Sequence, residues 1–225
     1  YMKPVQIGII GLGTVGAGTV NLLDENAEEI TRRAGRQINI KAVAVNDITK
    51  QRSCEISDFK LTDDPFEVTD DPQIDLIVEL MGGESTAREV AVRALEHGKH
   101  IVTANKALIA IHGNDIFDLA MKKGLVVAFE AAVAGGISII KVLREGLTGN
   151  RIEQVIGIIN GTTNFILSEM HKKASPFSQV LAEAQRLGYA ETDPSFDIEG
   201  IDAAHKLTIL SSIAFGIPLD FDSVY

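Results

Sequence analysis

An apolar run from Val5 to Ile10 stops at a glycine, and from Thr14 to Ala34 apolar residues including Val15, Leu22, Leu23 and Ile30 recur at helical spacing. Ile38 to Val45 then alternates as a half-buried strand does. The pattern predicts strand, glycine turn, helix and strand, the opening of a nucleotide-binding half. Asn46 to Gln73 carries charge, two prolines and few long apolar runs, and reads as loop with at most a short helix. Beyond it the pattern predicts a strand over Leu76–Glu79 and a Ser-capped helix from Ser85 to His97 that stops at Gly98. A strand over His100–Thr103, a helix from Asn114 to Lys123 ending at Gly124, and a strand from Leu125 to Glu130 follow. Alternation of this kind implies an α/β fold, a Rossmann-type doubly wound parallel sheet, over residues 2–130.

After Glu130 the texture changes. Ala132 to Gly149 reads as loop and helix, Ile152 to Ile159 as a strand, and GTTNFILSEM as a helix entered through a polar turn. Pro176–Leu187 and Ile201–Phe215 read as further helices, the first with proline near its start. Residues 131–225 are therefore expected to form an α+β domain that supplies the substrate side.

With 225 residues and 45% hydrophobic content the chain can bury a full core, which excludes disorder as its main state. The net charge of −10, with no compensating Lys/Arg cluster, argues against a nucleic-acid partner. The longest apolar runs, Leu125–Phe129 and Val133–Ile140, fall short of a membrane span. No secretory signal precedes the first strand, so the expected compartment is the cytoplasm. Tyr1, ahead of Met2, reads as an added residue and is set aside. Cys54 is the sole cysteine; it excludes intrachain disulfides and multi-cysteine zinc sites and reads as an ordinary thiol.

The candidate chemistry begins at Gly11-Leu12-Gly13-Thr14-Val15-Gly16. The first glycine permits a tight turn, the second lets the backbone approach a pyrophosphate, and the third permits close packing of helix on strand. At the end of the second strand Asn46 and Asp47 are followed by Lys50 and Arg52, a set that selects neither NAD nor NADP. Thr103-Ala-Asn-Lys106 lies at the carboxyl end of a strand, where parallel sheets bind ligands; Lys106 either reaches a ligand or is a solvated helix-start lysine. Asp202 and Lys206 share a helix face. They form either a surface ion pair or, since Ile201, Leu207, Ile209 and Leu210 make the helix apolar, a buried functional one. His205 reads as a packed histidine, and His97, His100, His112 and His171 are assigned no chemistry. Glu191 and Asp202, leading into that helix, suit a charged, amino-acid-like substrate of a nicotinamide enzyme.

GLGTVG, VTANKALIA, EAAVAGGISIIKVLREGL, GIINGTTNFILSEM and LGYAETDPSFDIEGIDAAHKLTIL together resemble homoserine dehydrogenase almost from end to end. The resemblance implies interconversion of L-aspartate 4-semialdehyde and L-homoserine with NADP or NAD, on the route to threonine, methionine and isoleucine. It implies Lys206 as proton donor, Lys106 between nicotinamide and substrate, and Glu191 and Asp202 on the substrate's amino group and hydroxyl. Asn160 and Thr162 would frame the substrate pocket, although these polar groups equally suit the cap of the following helix. Gly11, Leu12, Gly13, Thr14, Val15, Gly16, Asn46, Thr103, Lys106 and Gly188 would contact the cofactor.

The resemblance also implies a monovalent cation, sodium or potassium, on Glu130 and the carbonyls of Val133, Gly135 and Ile137, where an irregular connection without an ion is the plain alternative. A homodimer formed by the second domain is expected on the same ground. Asn46 replaces an arginine common in the family, and Ser138 a proline. The family's catalytic region continues past the position of Tyr225, so the substrate domain is expected to be incomplete and its turnover weak or absent. Two competing readings are an aspartate-semialdehyde dehydrogenase, which needs a cysteine nucleophile, and a non-catalytic dinucleotide sensor.

Overall fold

β1 (Val5–Ile10) and β2 (Ile38–Ala44) pair in parallel, and the apolar run explains why: Ile7, Ile9 and Val43 are buried between the layers. β3 (Lys60–Thr62) extends the sheet beyond β2, while β4 (Leu76–Glu79), β5 (His100–Thr103) and β6 (Val127–Ala128) extend it beyond β1. The order β3-β2-β1-β4-β5-β6, parallel throughout, is the expected doubly wound sheet. The structure, a computed structural model, describes residues 2–225 and divides into two units, the first ending at Gly136 and the second covering Ile137–Tyr225.

α1 (Thr14–Glu25), α2 (Ala27–Ala34), α3 (Pro65–Asp70), α4 (Ser85–Glu96) and α5 (Lys106–Lys123) complete the first unit. One core cluster joins Ile7, Ile9, Val43 and Val78 of the sheet to Leu12 and Val20 of the glycine turn and α1. It anchors the turn that the candidate site needs.

Several elements differ from the pattern reading. The helix expected over Thr14–Ala34 is two helices, broken at Asn26, whose side-chain amide donates to the Leu22 carbonyl and so competes with the backbone ladder. The stretch read as loop with at most a short helix holds that helix, α3, started by Pro65 and by Asp64, whose carboxylate accepts from the Phe66 N–H, and also β3, which was not expected. Ser85 does not cap α4; Glu84 occupies that position and makes no side-chain cap bond. α5 starts at Lys106, eight residues before Asn114, because Asn105 accepts from the Leu108 N–H. β6 spans two residues where a strand from Leu125 to Glu130 was expected.

In the second unit α6 (Ile139–Lys141) runs into a π-helical turn over Val142–Gly146. α7 (Gly161–Lys173), α8 (Phe177–Arg186), α9 (Ser195–Ile198) and α10 (Ile201–Phe215) follow. α7 and α8 close on Ile166, Val180, Ala184 and Ala190. Ile152–Ile159 is not a strand: no described segment pairs with it, and Ile156 and Ile158 are 82% and 78% exposed. Strand conformation is stabilised by a ladder partner, which apolar content by itself cannot supply. Among the described residues, no helix is long and apolar enough to cross a membrane.

The glycine turn yields a stability test. A Cβ on Gly16 would lie 2.2 Å from the Gly11 carbonyl oxygen, whereas one on Gly18, in the same helix, would meet nothing within 4 Å. Gly16→Ala is expected to lower unfolding free energy by about 1–3 kcal/mol and Gly18→Ala to raise it by about 0.5–1 kcal/mol, both read by urea titration.

Candidate functional site

The glycine turn is tight against the sheet and open on its other side. Gly11 has φ +99°, and a Cβ there would approach the Leu80 carbonyl oxygen to 2.6 Å, while one on Gly13 would meet nothing within 4 Å. Gly13 precedes α1 without a side-chain cap, so the first N–H groups of the helix face outward for an anion. Leu12 is buried, whereas Thr14 and Val15 are exposed.

A cleft of about 400 Å³ runs from this turn to the loop after β2 and is lined by Gly11, Leu12, Gly13, Asn46, Asp47, Lys50 and Arg52. The Arg52 guanidinium donates to the Leu12 carbonyl at 3.0 Å and to the Asp47 carbonyl, tying the two loops together. The Asp47 carboxylate turns onto the Thr49 hydroxyl and N–H, and these bonds hold its pKa below the ordinary value. Asn46 is exposed.

Where β4 and β5 end, Thr103 is fully buried; its hydroxyl donates to Glu79 Oε2 at 2.6 Å and accepts from the Asn105 N–H at 2.9 Å. Lys106, half-buried, is the next residue after Asn105 and opens α5. Glu79 is 0% exposed, and burial pushes its carboxyl pKa up against the lowering effect of hydrogen bonds from Thr103 and the Met81 N–H. The pattern reading passed over it as the end of a buried strand.

In the second unit Lys206 Nζ lies 2.6 Å from Asp202 Oδ2, with side chains 20% and 8% exposed. Asp202 is buried and Lys206 half-buried, so this is not an exposed surface pair. The Lys206 ammonium also donates to the Ile159 carbonyl at 2.7 Å. Asn160 makes the helix cap that was one of its two readings, and its amide has further partners. Its Oδ1 accepts from the Thr163 N–H at 2.8 Å and caps α7, while its amide donates to Asp202 at 2.8 Å and to Asp197 at 2.7 Å.

Asp197 joins this cluster without having been singled out, and its only signal in the sequence is its place in DIEGID ahead of Asp202. The Thr162 hydroxyl donates to the Tyr189 carbonyl at 2.7 Å. Gly188 has φ +76° beyond the end of α8, and Glu191 is exposed in the following loop, where its carbonyl accepts from Gln185. His205 is buried between the rings of Phe196 and Phe221, as a packed histidine.

Glu130 starts a short 3-10 turn, Val133 after it is buried, and Gly135 has φ +55°. These three belong to the first unit and Ile137 opens the second. No group of three His, Cys, Asp or Glu residues among those described is placed to hold a metal ion, so a cation here would depend on main-chain carbonyls. Burial raises the Cys54 pKa, the opposite of what activates a thiol nucleophile.

Residues 11–130 match the family profile for the homoserine dehydrogenase NAD-binding domain, and residues 139–225 match the homoserine dehydrogenase profile. A homoserine dehydrogenase from Pseudomonas aeruginosa is 62% identical over 100% of this chain and 51% of its own length. The crystal structure of a homoserine dehydrogenase from Thiobacillus denitrificans, also 62% identical, superposes with a TM-score of 0.95 over 99% of this chain and 52% of that one. A hyperthermophilic archaeal homoserine dehydrogenase in complex with NADPH is 29% identical, with a TM-score of 0.84 over 99% of this chain and 75% of that one. The chain thus spans about half the length of the curated relatives it matches.

Two experiments probe the site's construction. Asn160→Ala removes a cap and leaves two carboxylates short of a donor, and is expected to cost about 2 kcal/mol or more in urea unfolding; Asn160→Ser keeps the cap and should recover about 1 kcal/mol. For Glu79, the pKa raised above the ordinary 4.5 means that the folded state holds its proton to higher pH than the unfolded chain. Its contribution to stability therefore declines as pH rises from that ordinary value through the raised one. Urea midpoints across this range should show a decline that is absent in Glu79→Gln.

Proposed function

The chain belongs to the homoserine dehydrogenase family, and from that premise we propose that it carries the groups that interconvert L-aspartate 4-semialdehyde and L-homoserine with NAD or NADP. The observation that carries the reading is the half-buried Lys206 ammonium, held between two acceptors. Of its three donors two are taken by Asp202 and the Ile159 carbonyl, leaving one for a substrate oxygen.

The open face of the glycine turn at Gly13 fits a dinucleotide, because a pyrophosphate can approach the backbone there without meeting a side chain. Gly11 to Gly16, Asn46, Thr103, Lys106 and Gly188 are the proposed cofactor contacts. Thr103 would act through its main chain, since its hydroxyl is committed to Glu79. The archaeal relative solved with NADPH supports a nicotinamide dinucleotide; Asn46, Asp47, Lys50 and Arg52 select neither form. When bound, the nicotinamide supplies the hydride to the aldehyde carbon or removes it from the alcohol.

Lys206 Nζ stabilises the charge that develops on the carbonyl oxygen and gives it a proton. Asp202, hydrogen-bonded to Nζ, orients that lysine, and with Glu191 holds the substrate's hydroxyl and amino group. Asn160 and Thr162 frame the pocket, and Lys106 lies toward nicotinamide and substrate. Residues 2–130 serve as the dinucleotide domain and 131–225 as the substrate and dimerisation domain. Sodium or potassium on Glu130, Val133, Gly135 and Ile137, a homodimer and a cytoplasmic location belong to the same reading.

Homoserine-dependent reduction of NAD⁺ and NADP⁺, followed by absorbance in a protein of the relatives' full length that carries this sequence, tests it. Lys206→Ala should lower kcat by about 100-fold or more with NADH affinity unchanged. Turnover that survives this substitution in a folded protein would contradict the assignment.

A further inference from the structure

Glu79 ends β4 with its carboxylate sealed from solvent, and its partners lie on the loop after β4 and at the last residue of β5. Oε1 accepts from the Met81 N–H at 3.0 Å, in the loop after β4. Oε2 accepts from the Thr103 hydroxyl at 2.6 Å, and that hydroxyl accepts from the Asn105 N–H in the loop after β5. The Asn105 amide then returns to the Gly83 carbonyl at 2.6 Å, closing a circuit between the loops.

An apolar side chain would fill this buried position at lower cost than a carboxyl group, so core packing does not explain the choice. The loop it holds contains Gly82 and Gly83, both at positive φ with open space where a Cβ would be, and such backbone has little stiffness of its own. In a sheet of this order the glycine turn and the strands β1–β2–β3 serve one mononucleotide half, and β4 and β5 the other.

We propose that Glu79 is a positioning residue for the nicotinamide half of the cofactor, locking the Met81–Gly83 and Thr103–Lys106 segments into one rigid edge. This rests on the dinucleotide reading of the glycine turn. It separates Glu79 from residues that hold the adenosine half, and the two halves can be measured apart.

Dissociation constants are determined for NADH and NADPH, and for ADP-ribose and 2′-phospho-ADP-ribose, which lack the nicotinamide, in this chain and in Glu79→Gln and Thr103→Val. Each variant should bind the preferred dinucleotide about tenfold or more weakly, while affinity for its matching fragment changes by less than about twofold. Thr103→Ser, which returns the hydroxyl, should recover most of the loss. Equal weakening of dinucleotide and fragment, or no weakening of either, overturns the coupling. If Glu79→Gln does not fold, Thr103→Val, which removes one hydroxyl without changing shape, decides the same question. A parent chain that binds fragment and dinucleotide equally also overturns the coupling, and one that binds neither overturns the dinucleotide reading and the coupling with it.

Discussion

All strands of the sheet run the same way, so every one of them delivers its chain to a single edge, where the ladder stops satisfying main-chain groups. The first unit meets that constraint differently on its two sides. At β1 the answer is steric: glycines at 11 and 16 bring the turn within a distance of Leu80 and of itself that no Cβ permits. At β4 and β5 the answer is electrostatic, since one buried carboxylate accepts from the loop after β4 and from the hydroxyl that ends β5, which in turn holds the next loop. Close packing buries Leu12 and Gly16 and leaves Gly13, Thr14 and Val15 exposed. The carboxylate side keeps two flexible glycines in one arrangement.

The second unit concentrates its polar chemistry in a small volume beside a modest apolar core. A buried ion pair is a weak source of stability, because desolvation offsets most of its attraction. Asp202 and Lys206 are accordingly better understood as an arrangement kept for orientation. Asn160 makes the arrangement specific: one side chain starts α7 with its carbonyl oxygen and holds Asp202 and Asp197 with its amide. Helix placement and the geometry of the charges are therefore set by the same residue.

The alternation of apolar strands and helices, the glycine turn and the Asp202–Lys206 spacing were legible in the chain because each depends on neighbours close in sequence. The errors fell where local signals competed. Asn26 broke a helix that kept its apolar period, and the all-round apolar run after Lys106 hid the start of α5. Ile152–Ile159 reads as a strand, but no described segment pairs with it.

What the sequence by itself determined is the order of elements, the parallel sheet and the residue types able to bind a dinucleotide and donate a proton, since backbone periodicity and side-chain chemistry are local properties. Tertiary structure alone decided that Lys206 donates to the Ile159 carbonyl, that Asp197 shares Asn160 with Asp202, and that Glu79 links two loops. Those contacts join residues tens of positions apart in the chain. Burial, which changes what a charge costs and what it can do, exists only once the chain has closed around it.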